Sequence, residues 1–237
     1  MLQNRAWSKN LLHLKQYLVL RSVKMSVLTT KQLHGVVFDM DGTLTVPCLD
    51  FMKLRKQLCI NKNIDILAHV DSLVGNEKDN AMKTIEAFEE EGRKSLELQP
   101  GIEELFTFLL HETSLRPKLA LVTRNNTLAV KHFLEKCATD NVCADAHELF
   151  SIILTRDFKP VKPHPAALLH IASKWDTDPN NIIIVGDDKH DILCGKSAGA
   201  MTVLLNNEKN EAAKELAEYN VDKLTEIIPI LKTFMMN

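Results

Sequence analysis

Five short, continuous apolar runs punctuate this chain, at Leu33 to Phe38, Leu119 to Val122, Phe150 to Leu154, Ile182 to Val185 and Thr202 to Leu205. Runs this short, without apolar/polar alternation, suit strands buried on both faces. Longer stretches with helical spacing lie between them: Ile102 to His111, Thr127 to Cys137, Ala166 to Trp175 and Asp191 to Ala198. Buried strands joined by helices make a parallel sheet covered on both sides, because parallel neighbours need a crossover. The spacing predicts an α/β fold, a three-layer Rossmann-like parallel sheet. In such sheets ligands bind outside the carboxyl ends of the strands, so the residues just after each run are the ones to inspect.

One segment breaks the alternation. Residues 45–98 carry no strand signal, only helical patterns such as Asp79 to Leu96, with Ala81, Ile85, Phe88 and Leu96 on one side. Pro100-Gly101 then restarts the main pattern. The expected division is a core of residues 31–44 and 99–237 with a small helical cap, 45–98, inserted after the first strand; the alternative is two more helices of a single domain. An insertion leaving the chain there can cover the strand end and exclude water.

Residues 1–30 differ again. From Met1 to Phe38 there is no acid, while Arg5, Lys9, Lys15, Arg21, Lys24 and Lys31 are basic and Leu11, Leu12, Leu14, Leu18 and Leu20 form an apolar set. Such a leader reads either as a mitochondrial transit peptide or as a disordered extension, which leaves a cytoplasmic or mitochondrial location open. No apolar run approaches the roughly 18 residues of a membrane span. The net charge of −2 supplies no basic field for nucleic acid. Five cysteines without a C-x-x-C pair fit a reducing, intracellular compartment.

The strand ends carry the chemistry. The first delivers Asp39-Met40-Asp41-Gly42-Thr43. Two carboxylates this close raise one another's pKa and favour a bound cation, and together they suit a nucleophile beside a proton shuttle. Thr123-Arg124-Asn125 follows the second run, where a hydroxyl and helix-start amides suit a phosphoryl group or simply a helix cap. Lys162 stands in the proline-fixed loop Lys159 to Pro165. Gly186-Asp187-Asp188-Lys189-His190-Asp191 follows the fourth run, and its oxygen donors suit Mg²⁺.

These four segments, in this order, resemble the four motifs of the haloacid dehalogenase (HAD) superfamily of phosphohydrolases, in its phosphoglycolate-phosphatase-like branch, over about Leu33 to Leu205. The resemblance implies a Mg²⁺-dependent phosphatase acting on a small phosphorylated metabolite. It implies Asp39 as nucleophile, forming an aspartyl phosphate, and Asp41 as general acid and base. Thr123 and Lys162 would hold phosphoryl oxygens. Asp39, Asp187 and the backbone carbonyl of Asp41 would hold the metal. Asp191 would act from outside that shell, with Asp188 a further outer acid or merely exposed. Arg124 would bind a second anionic group of the substrate, or pair with Asp188 or a cap acid. Two other readings are a phosphomutase of the β-phosphoglucomutase type and a non-catalytic module that binds phosphorylated ligands or a protein. The sequence leaves substrate and oligomeric state open.

Overall fold

The computed structural model describes residues 33–235 except 48–49, 62–63, 113–115 and 144. The basic leader over 1–30, with its targeting reading, lies outside the described residues, as does Cys48. Strands β1 (Gly35–Phe38), β2 (Lys118–Val122), β3 (Ile152–Leu154), β4 (Ile182–Gly186), β5 (Met201–Leu205) and β6 (Tyr219–Val221) form one sheet in the order β3-β2-β1-β4-β5-β6. Every neighbouring pair is parallel.

The apolar runs form strands because both faces of the sheet are covered. Val36, Phe38, Leu121, Ile183 and Val185 pack into one core, and their neighbours Val37, Ala120, Val122 and Ile184 pack into the other. Full burial of each such side chain contributes roughly 1.5–3 kcal/mol relative to exposure, so a one-residue slip of register would be very costly. β6 was not expected from the sequence. It is an edge strand in which only Val221 is buried, so it carries no apolar run.

The helices follow the expected layout with shifted ends. After α1–α3 (below) come α4 (Ile102–Thr107), α5 (Thr127–Thr139), the short α6 (Ala146–Leu149), α7 (Ala166–Trp175), α8 (Lys189–Ala198), the short α9 (Glu211–Lys214) and α10 (Ile227–Met235). The stretch expected as a single helix over Ile102–His111 changes to a π-turn at Phe108–Glu112. Helix α8 begins two residues before the expected start, because Asp188 and Asp191 form a reciprocal capping box at its N-terminus. Gly195 lets α8 lie against the sheet: a Cβ there would stand 2.5 Å from Ile184 Cγ2 and 2.6 Å from Thr202 Cγ2.

Between β1 and β2 the chain makes α1 (Phe51–Gln57), α2 (Ile66–Ser72) and α3 (Gly75–Lys94). Asp50 and Asp65 cap the first two by accepting hydrogen bonds from main-chain amides. Helix α3 starts four residues before the expected Asp79 and stops short of Leu96, since Gly75–Lys78 carries no apolar marker. Leu54, Val70, Ala81, Ile85 and Phe88 give the three helices a small core of their own. The two stems of the insertion are tied together, Val46 N donating to Glu97 O (2.9 Å) and Gln99 N to Leu44 O (2.9 Å). No described helix is long and apolar enough to cross a membrane. Cys59, Cys137, Cys143 and Cys194 are free thiols.

Candidate active site

Asp39 extends β1 by one hydrogen bond, its amide donating to Val185 O at 2.9 Å. The chain then turns back, with the amides of Leu44 and Thr45 both donating to Met40 O (2.9 and 3.0 Å). Gly42 makes this turn with φ +83°, and a Cβ there would lie 2.3 Å from the Asp187 carboxylate. Both the backbone angle and the space require glycine. The turn sends the two aspartates to different partners. Asp41 receives hydrogen bonds from Asn125 Nδ2 and, at 3.4 Å, from Thr45 Oγ1. Asp39 faces Lys162 instead.

Lys162 is buried and has all three protons engaged by the protein. Its Nζ donates to Asp39 Oδ1 (2.5 Å), Asp191 Oδ1 (2.6 Å) and Val122 O (2.7 Å). Although burial alone would lower its pKa, the charges of Asp191 and Asp39 raise it, so this ammonium stays charged at any working pH. Asp191, itself buried, also accepts from the Asp188 amide at 3.1 Å and so ties the lysine to the start of α8.

Asp187 sits across from this pair. Thr43 Oγ1 donates to its Oδ1 (3.3 Å) and Asn207 Nδ2 to its Oδ2 (3.0 Å), while Asn210 Nδ2 donates to its main-chain carbonyl (2.8 Å). Oxygens of Asp39, Asp187 and Asp191 come within 4.8 Å of one another. Burial, then the charges of Asp191 and Asp187, push Asp39 well above the carboxylate range against the pull of Lys162. Burial and the charges of Asp191 and Asp188 push Asp187 up to about 7. Three acids sharing one ammonium are short of positive charge, and the donors are all oxygen. The set therefore fits a small hard dication such as Mg²⁺. The Asp41 side chain stands apart from this set, and Asp191, whose two oxygens accept from Lys162 Nζ and Asp188 N, lies beside Asp39 and Asp187.

The other expected residues divide. Thr123 is buried at the end of β2, its hydroxyl accepting from Asn125 N at 3.1 Å, while the N-cap of α5 is Asn126. Arg124 forms an ion pair with Asp65, the N-cap of α2. This is the cap-acid partner among its alternatives. Asp188 is exposed, caps α8 and pairs with His190. Among the cap cations, Lys53 pairs with Glu91 and both Arg93 and Lys94 with Glu90. Burial raises the pKa of Asp41, the Asn125 hydrogen bond opposing.

A cavity of about 610 Å³ joins these parts, lined on one side by Asp39, Asp41, Thr123, Lys162 and Asp187 and on the other by residues of α1–α3. Glu89 of α3 is buried at its edge, bonded to Arg156 and to Asn126 Nδ2 (2.7 Å). Sequence reasoning missed Asn125, Asn207, Asn210 and the Glu89–Arg156 pair. Asn125 stood beside Thr123 and was within reach of the strand-end rule, whereas the others belong to partners distant in sequence.

A family model described as haloacid dehalogenase-like hydrolase matches residues 53–205, a span that includes Thr123, Lys162, Asp187 and Asp191. A haloacid dehalogenase-like hydrolase domain-containing protein of Arabidopsis thaliana is 36% identical over 233 residues, covering 90% of each chain. Two solved structures share the fold at lower identity. One is a predicted phosphoglycolate phosphatase from Haemophilus somnus (22% identity, TM-score 0.63, 86% of this chain and 99% of that one). The other is β-phosphoglucomutase from Clostridium difficile (20% identity, TM-score 0.64, 86% of this chain and 97% of that one). Sequence match and sheet agree on the ancestry of this site: the chain belongs to the haloacid dehalogenase-like hydrolases.

Proposed function

We propose that this chain is a Mg²⁺-dependent phosphatase that hydrolyses a small phosphorylated metabolite through an aspartyl phosphate at Asp39. The observation that carries the reading is the divergence of two aspartates one residue apart. Asp39 is held by a buried ammonium, and Asp41 is turned to Asn125 in the same cavity. An Asp39 oxygen attacks phosphorus, the ester P–O bond breaks, and the leaving alkoxide takes its proton from Asp41. Burial favours the protonated form of Asp41, as a general acid requires. Asp41 then takes a proton from the water that attacks phosphorus, releasing phosphate and restoring Asp39. Thr123 offers its hydroxyl to a phosphoryl oxygen, and Lys162, held against Asp39, supplies positive charge beside the oxygens as charge moves onto them. Asp39 and Asp187, with the Asp41 carbonyl, would hold Mg²⁺, with Asp191 close by; a bound ion supplies charge neutralisation for those oxygens. Segment 45–98 acts as the cap that closes the cavity over the acids.

The retained acids and lysine speak against a binding module without turnover. A mutase would need a second site for a phosphate, and Arg124 is held by Asp65. The test is phosphate release from an artificial aryl phosphate with and without Mg²⁺. Wild type is expected to require the metal, and Asp39→Asn to lose about 10³-fold or more in kcat. Wild-type-like turnover by Asp39→Asn would remove the nucleophile assignment.

A further inference from the structure

We propose that the ester cleaved at Asp39 carries an apolar leaving group, an alkyl or aryl alcohol seated against α1–α3, and not a carboxylated or second phosphorylated group. The inference rests on the phosphatase reading and adds the substrate class to it. Two independent features of the cavity support it.

The first is the wall opposite the acids. It is formed by Phe51, Leu54, Ile66, Leu67, Ile85 and Phe88. Leu54, Ile85 and Phe88 are already buried in the small helical core and supply a firm backing. Phe51, in the first turn of α1, is 49% exposed, with its ring centroid 5.8 Å from that of Phe88. A half-exposed aromatic ring beside a buried one, in the same cavity as the catalytic carboxylates, gains from covering by apolar atoms.

The second is the state of the cations. Arg124 and Arg156 are paired with Asp65 and Glu89, Arg124 keeping its buried Nε without a hydrogen-bond partner. Arg55 donates to the carbonyls of Asn61 (3.0 Å) and Ile64 (2.6 Å). Lys162 belongs to Asp39 and Asp191. Among the described Lys and Arg residues lining the cavity, only Lys209 has no ion pair or hydrogen bond of this kind, and it is exposed, beyond Asp187. Asp65 and Glu89 already occupy the charge of Arg124 and Arg156, and Glu208 adds an exposed acid to the wall. A carboxylate on the leaving group would lose water and have to compete with Asp65 and Glu89 for their arginines, whereas a hydrocarbon meets neither penalty.

The test is kcat/KM of the full-length protein with Mg²⁺ for ethyl, butyl and hexyl phosphate. Isobutyl phosphate is then compared with 2-phosphoglycolate, a pair close in shape and different in charge. The expected result is a two- to fourfold rise per added methylene and at least tenfold preference for the isobutyl ester. Phe51→Ser should lower the hexyl-to-ethyl ratio. A flat series, or preference for phosphoglycolate, overturns the apolar assignment while leaving the phosphatase standing. No phosphate release from any of the esters overturns the phosphatase reading, and this one with it.

Discussion

Lys162 is the residue on which the acids depend. Its three hydrogen bonds all end on the protein, two of them on carboxylates that lie deep in the core. Removing one partner of a buried ion pair leaves an uncompensated charge, which typically costs about 3–5 kcal/mol. Lys162→Met is therefore expected to lower stability in urea by about that amount in EDTA, and by less with Mg²⁺ present; unchanged stability would show that the lysine is not needed to hold the acids. Asp187 gives a second prediction, in pH. Its carboxyl is raised to about 7 from an ordinary 3.8. It binds its proton more tightly folded than unfolded, so its contribution is fully present below about pH 4 and is lost as pH climbs toward 7. Asp39 shifts in the same direction. In EDTA the Tm should fall as pH rises across this window, and the Tm gain from Mg²⁺ should grow over it, since metal competes with the proton. A Tm gain that shrinks with rising pH would count against these ligands.

At the scale of elements, the parts that carry chemistry hang from strand ends, and the helices above them are held by few polar contacts. Glu89 of α3 is buried and bonded to Arg156 and Asn126, on the loops that follow β3 and β2. Arg124 with Asp65, and Lys159 with Asp71 at 3.3 Å, are more exposed ties. Glu89→Ala is expected to speed amide hydrogen exchange in α3 well before that of β1 and β4, because the insertion loses its buried anchor while the sheet cores are untouched. Equal acceleration in sheet and insertion would show that Glu89 supports the whole fold. These ties were illegible in the sequence for a physical reason: Glu89 and Arg156 are 67 residues apart, Glu89 does not disturb the helical pattern around it, and Arg156 stands in a turn. β1, β2, β4 and β5 were legible because burial on both faces favours continuous apolar runs, and β3, though only half-buried at the sheet edge, keeps an apolar run as well. β6, half-exposed at the sheet edge, left no such mark. Asp39, Asp41, Lys162 and Asp187 could be read from strand ends and motif order, but Asn207 and Asn210, which position Asp187 from a loop, had no local pattern to reveal them.

Among the described residues, a parallel sheet presents charge at the carboxyl ends of its strands, beneath three helices that present hydrocarbon. A net charge of −2 gives it no long-range attraction for an anionic substrate. In the proposed reaction recognition therefore falls to the cavity itself: the acids with a bound cation would take the phosphoryl group, and α1–α3 what it is attached to. All of this turns on Asp39 becoming covalently phosphorylated. The direct measurement is to mix the enzyme with Mg²⁺ and a phosphate ester that it hydrolyses, quench in acid within a turnover, reduce with borohydride, and map the peptides by mass spectrometry. Reduction of an aspartyl phosphate leaves homoserine, which is expected at position 39 and absent without ester. Turnover with no homoserine at 39, or homoserine at another aspartate, would contradict the account.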